Sequence, residues 1–263
     1  MIRIIISVCL SIIFSACSGE DNKPLVTPIA AGELNITFDA KVGNVDFALN
    51  KDFAVRSQTL NFSKLRYWIS NVVLVNARGT EFIVPDSYFL MEEVGELDLS
   101  GTINEKLIYP ANKRETITLK GIPAGEYKSV KFAIGVDARH NDNLSLRAGE
   151  LSIANGMSSI VWMWHSGYIF SSLAESVGRG SESKAFKVET GLNANYKTMA
   201  IDFATPVNSA TTKGIVLNVD VAKMLDGINL TENPTINATT APLMATIANN
   251  LVTKVITFSS VIQ

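Results

Sequence analysis

From residue 33 onward the apolar residues come in short alternating runs broken by turn residues, and this pattern restricts the fold more than any other feature of the chain. The runs cover 34–38, 64–75, 81–84, 87–91, 115–119, 127–136, 159–170, 185–190, 196–203 and 214–221. An apolar/polar period of two over a few residues is the mark of a half-buried strand. Many such runs at fairly even spacing call for an antiparallel β-sandwich or barrel. No long amphipathic helix alternates with them, which disfavours a parallel α/β sheet. The expectation is an all-β, antiparallel sandwich with one or two short peripheral helices near the C-terminus. One is a single turn over 222–225; the other covers 243–250 after Thr240-Ala241-Pro242, with a capping Thr and an early Pro. No repeat or composition break divides 33–263, so one domain is expected there.

The first sixteen residues are of a different kind. Arg3 precedes an apolar run that ends in Phe14-Ser15-Ala16-Cys17. The run is too short to span a bilayer, which takes about 20 apolar residues, and it reads as a secretory signal. Phe14 fits the −3 position of an ordinary signal-peptidase site poorly. Phe14 to Cys17 resembles a bacterial lipobox instead, with Cys17 as the lipidated residue. Two or more acyl chains hold a protein firmly at a membrane, whereas one holds it marginally. Ser18 after the cysteine favours sorting to the outer membrane, and residues 17–32, with Pro24 and Pro28, form a flexible spacer. The expected location is the envelope of a bacterium, with the domain tethered through its N-terminal lipid.

That assignment settles much of the chemistry. Cys9 leaves with the signal and Cys17 carries lipid, so no disulfide or thiolate metal site is available. The 23 basic residues, one of them Arg3 in the leader, stand against 25 acidic ones, with no basic stripe; nucleic acid is not an expected partner. The nucleophile elbow, the His-Glu-x-x-His metal helix and the glycine-rich phosphate loops are all missing, and two histidines alone place no nucleophile or oxyanion hole. The chain is not expected to be an enzyme.

The two histidines, His140 and His165, lie in the two segments richest in ligand-type side chains. In the run 160–170 a period of two puts Trp162, Trp164, Ser166, Tyr168 and Phe170 on one face and Val161, Met163, His165 and Ile169 on the other. Residues two apart on a strand are separated by roughly 7 Å, so Met163 and His165 could just converge on one ion. Thioether with imidazole is a soft pair suited to Cu(I). The ordinary alternative is that Met fills core and a strand histidine is only hydrogen-bonded, as the tryptophans are ordinary core residues. The segment 137–143 surrounds His140 with oxygen-bearing side chains but lacks EF-hand spacing. Its ordinary reading is an Asx-rich turn.

Four segments together resemble the MbnP-like family. They are Leu34-Asn35-Ile36-Thr37-Phe38-Asp39 with Val42-Gly43; Phe62 through Val72, containing Tyr67-Trp68-Ile69-Ser70-Asn71; Gly121-Ile122-Pro123-Ala124-Gly125-Glu126-Tyr127 running to Phe132 and Gly135-Val136-Asp137; and Trp162-Met163-Trp164 with Ser166-Gly167-Tyr168. The resemblance implies a β-sandwich that holds copper partly through histidines, a di-haem c-type partner of the MbnH type, and in some members a tryptophan oxidised to kynurenine. By that resemblance Trp162 and Trp164 are either the oxidised residue or core aromatics. His140-Asn141 matches a His-Asn pair after the family's Gly-Val-Asp. Relatives carry a histidine where this chain has Ala40 and another where it has Glu189. His165 stands where relatives more often have Asn or Gln; a metal site of His140, His165, Met163 and Glu189 would have mixed softness, workable for zinc or for copper, the metal that the resemblance implies. A metal-free envelope module that binds a protein or glycan through its loops is the competing reading.

Overall fold

The computed structural model of the chain describes residues 32–100, 107–159, 166–178 and 180–263. Ten strands of seven residues or more carry the described fold: β1 (Gly32–Val42), β2 (Gln58–Asn76), β3 (Tyr88–Val94), β4 (Thr116–Ile122), β5 (Glu126–Ile134), β6 (Gly167–Val177), β7 (Lys184–Gly191), β8 (Lys197–Asn208), β9 (Gly214–Asp220) and β10 (Ile256–Ile262). Helices are short, the α-helical ones being α1 (Ala138–Asn141) and α2 (Ala241–Asn250).

The strands form two facing sheets, the sandwich that the alternation predicts. One runs in the order β4-β1-β9-β10, the other β8-β5-β2-β6-β7 with the short strand Thr235–Ile236 at its end. Most ladders are antiparallel. Two are parallel, β1 with β9 and β7 with Thr235–Ile236, because long excursions through the other sheet separate these partners in sequence. The C-terminal strand β10, which the alternation does not flag, closes the edge beside β9. Leu34, Ile36, Phe38, Ala40 and Val42 of β1 all point inward, opposite Leu65, Tyr67 and Ile69 of β2. Phe38 meets Phe132 and Tyr67 edge-on, at 5.6 and 6.4 Å between ring centroids. Each such buried side chain contributes about 1.5–3 kcal/mol.

Both C-terminal helices lie outside the sheets, yet their inner faces join this core through Val221 and Met224 of the turn Val221–Leu225 and through Met244 and Ile247 of α2. Thr240 stands at the N-cap of α2, but its hydroxyl is spent on the Asn237 capping box of the preceding turn. A π-helical segment, Leu251–Val255, leads from α2 into β10.

The long strand β2 organises the rest. Tyr67 is paired with both Met91 of β3 and Ser171 of β6, and Ile69 with both Phe89 of β3 and Ile134 of β5. A strand has two edges. β3 occupies one, so β5 and β6 must share the other and part company near Trp68, forming a fork. Asn71 sits just beyond it with φ 52°, a left-handed conformation that Asn tolerates. There the inward phase shifts from Leu65, Tyr67, Ile69 to Val72, Leu74, as a β-bulge does. Arg66, Trp68 and Ser70 therefore face away from the sandwich core.

A second core lies on that outer face. Trp68, Tyr88, Leu90, Val136, Ala148, Leu151, Met157, Tyr168, Ile169 and Phe170 form a cluster of their own, covered by the chain between β5 and β6. Trp68 meets Tyr168 edge-on at 5.9 Å. Gly135, at φ 107°, lets the chain leave β5 against Phe170; a Cβ there would stand 2.5 Å from the Phe170 ring.

Of the run expected over 159–170 as one strand, residues 160–165 lie outside the described residues, and the two described ends pair with each other. Ser158 pairs with Tyr168 and Ser159 with Gly167 in antiparallel register.

Candidate functional site

The chain leaves β5 through Gly135 and Val136, and Asp137 then starts α1. The expected turn over 137–143 is thus one turn of α-helix, with Asp137 as its N-cap accepting from the His140 backbone N–H. The same spacing of three brings the Asp137 carboxylate to the His140 ring. Nδ1 lies 3.2 Å from both Asp137 oxygens. Tyr88, the first residue of β3, reaches the pair from below: its hydroxyl is 2.9 Å from His140 Nδ1 and makes a short hydrogen bond to Asp137 Oδ2. Its ring packs tilted on the imidazole at 4.8 Å. Asn71, held outward by the bulge, donates to Asp137 Oδ2 at 3.3 Å and to the Tyr196 hydroxyl at 2.6 Å.

The electrostatics follow from this geometry. Desolvation pushes the Asp137 carboxyl up, but hydrogen bonds from Tyr88, His140 and Asn71 outweigh it and hold the group below the usual carboxylate range. Burial, with Asp137 next, raises the Tyr88 phenol well above its ordinary value. A carboxylate only accepts, so His140 Nδ1 carries the proton that faces it. In the neutral ring, the tautomer that these contacts select keeps its lone pair on Nε2.

Asn141 fixes the other side of α1. Fully buried, it accepts the Tyr168 backbone N–H at 2.7 Å and donates to Asn193 Oδ1 at 2.8 Å; Asn193 in turn donates to Asp142 at 2.8 and 2.9 Å. The helix bearing His140 is thereby tied to the start of β6 and to the turn after β7.

Of the residues singled out from sequence, His140 sits at the fork. Glu189 lies on β7 opposite Ser172, on the same outer face, but its carboxylate is engaged by Lys187 at 3.0 Å and Ser172 at 3.3 Å. Ser172 is four residues along β6 from the Tyr168 that Asn141 holds, about 13 Å of strand. His140 and Glu189 share no partner. Ala40 points into the sandwich core. Cys17, Trp162, Met163, Trp164 and His165 lie outside the described residues. Among the described residues no three His, Cys, Asp or Glu side chains are grouped to hold a metal ion. The described donors thus supply one oriented imidazole.

Sequence reasoning did not identify Tyr88, Asn71 or Tyr196 as site residues. The Asp137-x-x-His140 spacing was a readable signal for the carboxylate; nothing local marks Tyr88, 52 positions away.

A second polar cluster sits further along the same face. Arg66, on β2 opposite Glu92 of β3, donates through Nε to Glu92 Oε2 at 2.7 Å. Its Nη2 stands 2.7 Å from the same oxygen, as an ion-pair contact rather than an aligned hydrogen bond. Tyr109 and Asn112 donate to Glu92 Oε1 at 2.5 and 2.7 Å, and the guanidinium lies over the Tyr109 ring at 4.7 Å. Burial and then Glu92 push the Tyr109 phenol up to about 12.

No curated protein matches the chain. Among solved structures, MbnP from Methylosinus trichosporium is similar at 16% identity, over 75% of this chain and 78% of that one, with a TM-score of 0.49. The family profile described as MbnP matches residues 31–240. With most of its length in that match, the chain belongs to the MbnP family.

Proposed function

We propose that this MbnP-family protein is a bacterial envelope lipoprotein, anchored through Cys17, that binds copper beside the sheet fork for capture or for delivery with a di-haem c-type redox partner. The observation that carries the reading is the Asp137–His140 pair. A carboxylate on one ring nitrogen fixes the tautomer and orientation of the imidazole and raises the basicity of the other, the arrangement found behind metal-bound histidines. Bound there, copper would supply a redox-active centre; the chain's own part is to hold His140 Nε2 in place and keep Nδ1 occupied. His165 and Met163 are the further donors in this reading. Support for them comes from the chain itself: the registered pair Ser159 and Gly167 bracket their segment, and Tyr168 is bonded to the residue after His140. Glu189 remains with Lys187 and Ser172.

The test is titration of the purified mature protein with Cu(I) and Cu(II), alongside His140→Ala and His165→Ala. Stoichiometric binding that either substitution abolishes is the expected result. Failure of the wild type to bind copper at micromolar concentration overturns the reading in favour of a metal-free module.

A further inference from the structure

The hydrogen bonds of Tyr88 set it apart from the other tyrosines of the chain, six in all. A phenol is a poor one-electron donor while it keeps its proton, because its radical cation is a strong acid; oxidation becomes accessible when a base is already hydrogen-bonded to the hydroxyl. Tyr88 has such a base in Asp137, with His140 beside it. Among the described residues Tyr168 has a buried hydroxyl with no partner, and Trp68 a buried indole N–H with none. Tyr127 donates only to the carbonyl of Pro123 and Tyr196 receives the Asn71 amide, while the Tyr67 hydroxyl is buried in the sandwich core. Tyr109 has a carboxylate, but Glu92 is already neutralised by Arg66, whose guanidinium over the ring opposes the loss of an electron from it.

The packing supplies a route. Trp68 is opposite Leu90, so Tyr88, two residues along β3, is its diagonal neighbour on the same face, and Tyr168 meets Trp68 edge-on. An electron vacancy on Trp68 or Tyr168 finds no hydrogen-bonded base among the described residues and can move on; on Tyr88 it is trapped by proton transfer. Tyr88 is also close to solvent, separated from it by His140, whose side chain is 12% exposed, and by Asp137, at 25%.

We propose that Tyr88 is a reversible one-electron redox site. An outer-sphere one-electron oxidant at the surface takes an electron from the ring, and the phenolic proton moves along its existing hydrogen bond to Asp137. The products are a neutral tyrosyl radical, a protonated Asp137 and the reduced oxidant. Return of an electron from an external reductant, with the proton from Asp137, restores the phenol. No metal takes part, so the proposal stands apart from copper binding.

The experiment uses chelator-treated mature protein and photogenerated ruthenium(III) tris-bipyridine as oxidant, with freeze-quench electron paramagnetic resonance as readout. A tyrosyl signal is expected in the wild type, retained in Tyr109→Phe and lost in Tyr88→Phe. Asp137→Asn should lose most of the yield while melting as a folded protein, and solvent deuteration should slow radical formation in the wild type. Absence of a tyrosyl radical in the wild type, its survival in Tyr88→Phe, or an unchanged yield in Asp137→Asn overturns the proposal. Should Tyr88→Phe fail to fold, loss of the signal in Tyr109→Phe would do so equally.

Discussion

The outer face of the larger sheet carries two polar clusters built from the same starting parts, a β3 residue, a carboxylate and a tyrosine. At Glu92 the carboxylate is closed on every side: Arg66, Tyr109 and Asn112 satisfy both oxygens, and the Arg66 and Glu92 side chains are 1% and 2% exposed. At Asp137 the nitrogen partner is an imidazole rather than a guanidinium, the carboxylate is a quarter exposed, and among the described residues one ring nitrogen has no partner. A guanidinium never gives up its proton and offers no lone pair, so the first cluster can only hold strands together. Imidazole can donate on one side and coordinate or accept on the other. The difference between a structural cluster and a candidate site here is the choice of base and the degree of closure.

The largest expected effect breaks the closed cluster. Glu92→Ala leaves the Arg66 charge buried without a partner, and urea unfolding should show a loss of about 3–5 kcal/mol. Replacing both residues by apolar ones of similar volume should recover much of it. A loss below about 1 kcal/mol for the single change would place the pair in the range of an exposed ion pair and remove the contrast.

The next effect falls on the fork that carries the open cluster. Gly135→Ala puts a Cβ 2.5 Å from Phe170 at a φ that L-residues avoid, with an expected cost of about 1–3 kcal/mol in thermal or chemical unfolding. The same change should weaken the proposed copper binding at His140, since Asp137, the N-cap of α1, stands two residues later. Unchanged stability with a normal Phe170 environment would show that the fork does not need this glycine.

The smallest effect separates the clusters by pH. Asp137 is held below the usual carboxylate range, so its contribution to stability is fully present above the unfolded value of about 3.9 and is lost as pH falls through the folded one. The melting temperature of wild type should therefore exceed that of Asp137→Asn at neutral pH, and the gap should narrow on acidification below about pH 5. The partial exposure of Asp137 keeps the gap modest. A gap that stays constant down to acid pH would mean that the charge of Asp137 adds nothing.

How much of this was readable in advance differs sharply between strands and site. The alternation marks β1, β2 and β5 because each has one face on the sandwich core. It does not reveal that the ends of the run 159–170 pair with each other, Ser159 with Gly167, in antiparallel register. It also passes over β10, whose burial pattern is mostly exposed beyond Ile256. In the site, His140 and Asp137 share one helical turn, so their meeting is a local matter. Tyr88 joins them only through the pairing of β3 with β2, and the second core exists because β5 and β6 compete for one edge of that strand.

By itself the sequence determined the class of the fold and the helical spacing that sets Asp137 against His140, because each depends on residues close together in the chain or on composition. Tertiary structure alone decided which face of the sheet holds the site, that Glu189 serves Lys187 and Ser172, and that the same carboxylate chemistry is closed at Glu92 and open at Asp137. These depend on strand pairing and bulge phase, and a shift of one residue in either would turn every side chain to the opposite face.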